Sequence, residues 1–305
     1  MKGRGRMEFH FRQDRGKIKR LLAIHLPVTD LQVTAAWYTE HLGLTLLNMN
    51  GAAAELAAID RGETVYPTLI LTKTSSGHRL IYEKNGRPRS MVMMHASNLE
   101  GLREKLAGAG VTVTLPHADQ EEDGCGRFFE AVDPSGNRIQ IQANDGEPPA
   151  DHARVEAIFN LEIPVSDVRR SARFYADVLG FQLIREPDDQ LAIVKTGPFY
   201  ACRFGYKDVQ EFGFFLFRHE ERTTLHFEDD TGKVQQCLIL QADDPAALYK
   251  HLASEGHVVA ETTGSATGRR SFDIVDPDGN RIQVVSLGAP PSIESMAAEY
   301  DTIKR

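Results

Sequence analysis

Residues 24–43 read Ile-His-Leu-Pro-Val-Thr-Asp-Leu, then Trp37-Tyr38 and Leu42-Gly43; residues 161–180 repeat the phrase as Leu-Glu-Ile-Pro-Val-Ser-Asp-Val, then Phe174-Tyr175 and Leu179-Gly180. A second phrase is also written twice. Val-Asp-Pro-Ser-Gly-Asn-Arg-Ile-Gln at 132–140 returns as Val-Asp-Pro-Asp-Gly-Asn-Arg-Ile-Gln at 275–283. Both phrases keep their order, so the chain reads as a duplicated domain of about 130 residues rather than an array of short repeats. Any function is to be sought once in each copy and then compared.

The phrases carry local structure. Apolar and polar residues alternate over 21–28 and 157–165, which predicts a strand opening each copy. Asp30 and Asp167 are placed as N-caps of the helices that follow. Val33, Trp37 and Leu42 form one apolar stripe, and Val168, Phe174, Val178 and Leu179 the other, before Gly43 and Gly180 end the helices. A second strand–helix unit is expected from about residues 90 and 235, with helices over 98–109 and 244–255. The two Asp-Pro-x-Gly-Asn phrases predict turns between the last strands. Each copy thus reads as two βαβββ units. The expected organisation is a basic leader at 1–19, a first domain at 20–143, a linker at 144–156, a second domain at 157–287 and a C-terminal helix at 288–305.

Composition bounds the function. A length of 305 residues with 41% hydrophobic residues suffices for two cores. A net charge of −8 argues against nucleic acid as the main partner, since phosphate binding needs a concentrated basic face. No apolar run approaches a membrane span or a signal-peptide core, so the expectation is a cytoplasmic protein with a small-molecule partner, monomeric or homodimeric. Cys125, Cys202 and Cys237 are odd in number and far apart, which suits a reducing compartment and no disulfide framework.

The two phrases, in order and twice, resemble the vicinal oxygen chelate superfamily, which holds glyoxalase I, the bleomycin- and fosfomycin-resistance proteins and the extradiol dioxygenases. The resemblance covers about 20–143 and 157–286. It implies an α+β fold of two tandem glyoxalase-like domains, each of paired βαβββ units forming an incomplete barrel around a cleft. It also implies, for enzymatic members, a divalent metal held by a His of each unit's first strand and a Glu after the Asp-Pro-x-Gly turn. Here the matching positions are Ala23 and Asn160, Met91 and Cys237, and Gln140 and Gln283. Alanine and thioether do not bind a hard or borderline dication, and neutral glutamine replaces carboxylate poorly. No metal or other cofactor is therefore expected, with a displaced Zn, Fe, Mn or Ni site as the alternative.

The residues left facing the clefts are the candidates. By strand alternation the first copy offers His25, Met91, Met93 and Gln140, with His95 nearer a strand end. The second offers Asn160, Glu162, Cys237, Gln241 and Gln283. Glu162, a carboxylate inside an apolar strand, needs a partner or a ligand, and is the candidate general base. A salt bridge to Arg203 or Arg222 is the structural alternative. Aromatic residues crowd 199–227, with Phe212 and Phe214 on one strand face and Phe215 and Phe217 on the other. These features point to a metal-free protein that sequesters or carries an aromatic or amphipathic compound, as drug-resistance members of the family do. The alternative is a lyase, isomerase or ring-cleaving dioxygenase using a displaced metal or Glu162. The second-copy cleft, bounded by Asn160, Glu162, Cys237 and Gln283, is the expected main site.

Overall fold

The computed structural model describes residues 18–84, 86–115, 127–144, 148–196, 213–220, 224–257, 259–262 and 271–286. Residues 1–17 of the basic leader, Arg203, Arg222, Phe212 and the expected C-terminal helix lie outside them, while Ile18 and Lys19, expected in the leader, belong to the first strand. The first unit is β1 (Ile18–Val28), α1 (Leu31–Glu40), β2 (Thr45–Met49), β3 (Ala53–Asp60) and β4 (Glu63–Lys73). A hairpin, β5 (Ile81–Lys84) and β6 (Arg87–Ser90), leads to the second unit: β7 (Val92–His95), α2 (Leu99–Gly108), β8 (Val113–Thr114), β9 (Arg127–Val132) and β10 (Arg138–Ala143). The third unit is β11 (Ala157–Val165), α3 (Val168–Arg173) running into a π turn (Phe174–Val178), β12 (Gln182–Leu183), β13 (Leu191–Lys195) and β14 (Gly213–Arg218). A second hairpin, β15 (His226–Glu228) and β16 (Val234–Gln236), precedes the fourth unit: β17 (Leu238–Ala242), α4 (Pro245–Ser254), β18 (Val259–Thr262), β19 (Ser271–Val275) and β20 (Arg281–Ser286).

The caps read from sequence form. Asp30 and Asp167 accept from the backbone N–H of Val33 and Arg170, at 3.0 and 2.9 Å. Gly43 and Gly180 take φ of +74° and +78°, the left-handed region where a β-carbon is penalised. The repeated phrases also hold to each other. The Tyr38 hydroxyl donates to Asp133 Oδ2 and the Tyr175 hydroxyl to Asp276 Oδ2, each at 3.2 Å. Asn137 Nδ2 donates to the Pro27 carbonyl at 3.0 Å and to Asp133 Oδ2 at 2.9 Å. Burial first, and the facing carboxylate second, push both phenols well above the usual tyrosine range, so they stay protonated donors. The duplicated residues thus lock the helix of one unit to the late turn of the next within each copy.

The sheets are built differently. The two eight-stranded sheets run β18-β19-β20-β17-β1-β4-β3-β2 and β12-β13-β14-β11-β7-β10-β9-β8. The first joins the first and fourth units, the second joins the second and third. The α+β class and the tandem glyoxalase-like units are as expected, while each sheet takes one unit from each copy. The seams are antiparallel: Ala23 pairs with Ile239 in the first sheet, and Asn160 with Met93 in the second. One continuous apolar cluster, including Tyr38, Leu56, Leu161, Tyr175, Phe214 and Leu240, spans both sheets and the helices.

Candidate functional site

Strand alternation sends Met93, Asn160 and Gln140 to one face at the middle of the second sheet, where Met93 pairs with both Asn160 and Gln140. On that face the sheet and the β5–β6 hairpin enclose a cavity of about 730 Å³. One wall is apolar: Leu191 and Ile193 of β13, and Phe215 and Phe217 of β14. The facing wall carries Phe128, Glu130, Gln140 and Gln142, and the hairpin adds Tyr82, Lys84 and Arg89. Arg185, Arg218 and His219 stand at the rim.

Glu162 lies among these residues, beside Phe215 in the strand register. The Tyr82 hydroxyl donates to Glu162 Oε2 at 2.6 Å, and the Tyr82 ring packs 4.5 Å from the Phe217 ring. Burial first, then the carboxylate's charge, raise the Tyr82 phenol far above its ordinary range. Tyr82 therefore keeps its proton and holds the carboxylate as a charge-assisted donor. Glu130 is tied down by the Ser90 N–H and by Arg138 Nη1, both at 3.1 Å. Gln140 Nε2 donates to Gln142 Oε1 at 3.2 Å. Asn160 Oδ1 is buried with no hydrogen-bond partner among the described residues.

The pairing of units corrects the grouping read from sequence. Asn160 and Glu162 belong with Met93 and Gln140 of the first copy. Gln241 and Gln283 instead share the inner face of the first sheet with Ala23 and His25, because β17 pairs with β1. Neither expected cleft, Asn160–Glu162–Cys237–Gln283 nor His25–Met91–Met93–Gln140, exists as a unit. Met91 and Cys237 precede their strands and are fully buried in the main apolar cluster. Burial alone raises the Cys237 thiol, the opposite of what a nucleophile or a ligand thiolate requires. His95 is also fully buried, with Nδ1 at 3.1 Å from Glu156 Oε2, and so clamps the end of β7 to the segment before β11. Burial works to raise the Glu156 carboxyl, but hydrogen bonds from His95 and Ser97 prevail and hold it at about 2.

The alternation within β14 is as read: Phe214 enters the core while Phe215 and Phe217 face the cavity. Sequence reasoning did not find Tyr82, Arg89, Phe128, Glu130 and Gln142. The dipeptide Asn85-Gly86 between short β-prone runs was the available signal for the hairpin that delivers Tyr82 and Arg89.

The metal expected of enzymatic relatives finds no fitting donor set. At the matching positions stand an alanine, a core methionine, a core thiol held protonated, an asparagine and two glutamines, none of them charged. Among the described residues no group of three His, Cys, Asp or Glu side chains is placed to hold an ion. A second groove of about 790 Å³ lies outside the sheets along α3; there Asp189 and Asp278 pair with Arg169 and Arg170 at 2.7 and 3.2 Å.

The sequence model of the Glyoxalase/Bleomycin resistance protein/Dioxygenase superfamily matches residues 18–141 and 155–284. No curated protein matches the chain by sequence. Among solved structures, a point mutant of maize (Zea mays) glyoxalase I superposes with a TM-score of 0.61 at 18% identity, covering 92% of this chain and 94% of that one. A different point mutant of the same maize enzyme gives 0.61 at 20% identity, covering 88% and 93%. A Bacillus subtilis protein, assigned provisionally to the dioxygenases, gives 0.61 at 12% identity, covering 91% and 88%. At such identities the likeness concerns the fold.

Proposed function

Since the chain belongs to the glyoxalase/bleomycin resistance protein/dioxygenase superfamily, we propose that it binds a small amphipathic molecule, with an aromatic or branched apolar body, in the cavity of the second sheet. The observation that carries this reading is the cavity itself: about 730 Å³, one side walled by Phe215, Phe217, Leu191 and Ile193, and the other bearing a few fixed polar groups. Burying the ligand's apolar body against those rings supplies affinity at about 25 cal/mol per Å² before the cost of association. Glu162, oriented by Tyr82, accepts a hydrogen bond from the ligand, and Lys84, Arg89 and Arg218 favour an acidic group at the mouth. Sequestering or carrying such a compound needs no bound metal, in keeping with the uncharged residues at the matching positions.

A second reading is supported by the 2.6 Å phenol–carboxylate pair inside the cavity. A carboxylate held on an apolar wall beside a proton donor is suited to abstracting a proton next to a carbonyl, the work of a metal-free lyase or isomerase. Glu162→Gln separates the two. For a binding protein it weakens the ligand by about 1–3 kcal/mol. For an enzyme, binding survives while turnover falls at least about a hundredfold. Unchanged binding and unchanged turnover in this variant would remove Glu162 from both.

A further inference from the structure

We propose that β2 is a self-association edge: two copies of the chain pair their β2 strands antiparallel about a twofold axis, joining their first sheets into one continuous sheet. Strand β2 (Thr45–Met49) ends the first sheet, so its outer N–H and C=O groups have no strand beside them among the described residues. Leu46, Leu47 and Met49 on it are 40, 40 and 39% exposed. Edge strands are ordinarily blunted by shortness or by charge. The other three sheet ends follow that rule: β8 and β12 have two residues each, and β18 carries Glu261. β2 has five residues and no charge.

The duplication supplies an internal control. From Leu42 to Ala54 thirteen residues pass without a charge, whereas the matching stretch 179–191 carries Arg185, Glu186, Asp188 and Asp189. Counted from the glycine that ends each helix, Leu46 and Leu47 answer to Leu183 and Ile184, while Asn48 and Met49 stand where the second copy has Arg185 and Glu186. Those charges keep the β12 edge in water, with Arg185 Nη2 at 3.5 Å from Asp188 Oδ2. On one frame, the second copy guards this edge and the first leaves it apolar.

Charge also decides what covers it. The chain has a net charge of −8, so two copies repel wherever their charged surfaces meet. Pairing β2 with β2 sets no charge against its like and brings the Leu46, Leu47 and Met49 cluster of one copy onto that of the other. An acidic or basic partner finds no opposite charge on this strand. The edge is preorganised as well. Asn50 Oδ1 accepts from the N–H groups of Ala52 and Ala53 at 2.8 and 2.9 Å, and the Asn50 N–H donates to the Ala53 carbonyl at 2.9 Å. The β2–β3 turn is thereby fixed, and little freedom is lost on pairing. The ladder to β3 shifts register between Leu46 and Asn48. This bulge bends the strand and confines the contact to a few residues, so the dimer is weak, with a Kd of about 10–100 µM.

The test is sedimentation equilibrium of the full chain over about 1–300 µM at about 0.15 M salt, where repulsion is screened beyond about 8 Å. The expected result is a monomer–dimer equilibrium. Leu47→Lys, at an exposed position, should weaken it at least about tenfold, and so should the polar-for-polar change Asn48→Lys. Ile184→Lys, at the matching place beside β12, should leave it unchanged. Hydrogen exchange should show the amides of residues 45–49 slowing as wild-type concentration rises, and not in Leu47→Lys. A monomer throughout the range would overturn the proposal. So would a dimer that survives both lysine variants of β2, an equal loss in Ile184→Lys, or exchange at 45–49 that ignores concentration.

Discussion

Changing Tyr82 to Phe removes one oxygen atom and leaves the ring against Phe217, 4.5 Å away, so the variant isolates the hydroxyl's bond to Glu162. At 2.6 Å that bond is short and has an ionised acceptor, a class that contributes about 1.5–3 kcal/mol. Glu162 is half-buried beside an open cavity, so water recovers part of the loss and the lower end of the range applies. The expected destabilisation of Tyr82→Phe is about 1.5 kcal/mol by urea unfolding, with the m-value unchanged. Glu162→Gln retains an acceptor but makes the bond neutral, and should cost about 1 kcal/mol less than losing the bond altogether. In the double variant the two losses should fall short of additive by about 0.5 kcal/mol, as expected of groups in contact. The phenol's raised pKa sets the pH range: the contribution is intact below about pH 10 and is lost as an unfolded tyrosine ionises above it. A loss below about 0.5 kcal/mol for Tyr82→Phe, together with strict additivity, would refute the pairing and the closure of the cavity by the hairpin.

Glu156→Gln should remove a pH-dependent share of stability. With a folded pKa of about 2, below its unfolded value, Glu156 stabilises above about pH 4.5 and loses this effect as pH falls toward 2. Acid titrations of the wild type and variant should therefore converge over that window, from a gap of about 1–2 kcal/mol after screening. Tyr38→Phe and Tyr175→Phe should each cost about 1 kcal/mol, and by similar amounts, since each removes the same 3.2 Å bond to a turn aspartate; a cost confined to one would mean that the two copies are not locked alike. Elemental analysis of the purified protein should find no stoichiometric Zn, Fe, Mn or Ni. Close to one ion per chain, lost in His25→Ala or Gln140→Ala, would move a displaced-metal enzyme to first place.

The sequence by itself determined the duplication, the four strand–helix openings and the inward alternation of Met93, Gln140, Asn160 and Glu162. These properties are local: a cap such as Asp30, a stop such as Gly43 and a period of two each act over a few residues. It also determined the uncharged set at the family's ligand positions, because residue type there can be read without coordinates. What only the tertiary structure decided is which unit lies beside which. The opening strands of the two copies are near-copies in pattern, so their sequence does not say which strand each takes as its neighbour. The choice depends on non-local strand pairing that no window of sequence contains. That choice aligned Asn160 with Gln140 through Met93, and Gln283 with Ala23 through Ile239. Tyr82 reached Glu162 by the same route, 80 residues away along the chain, because the hairpin between two units folds over a sheet completed by the other copy.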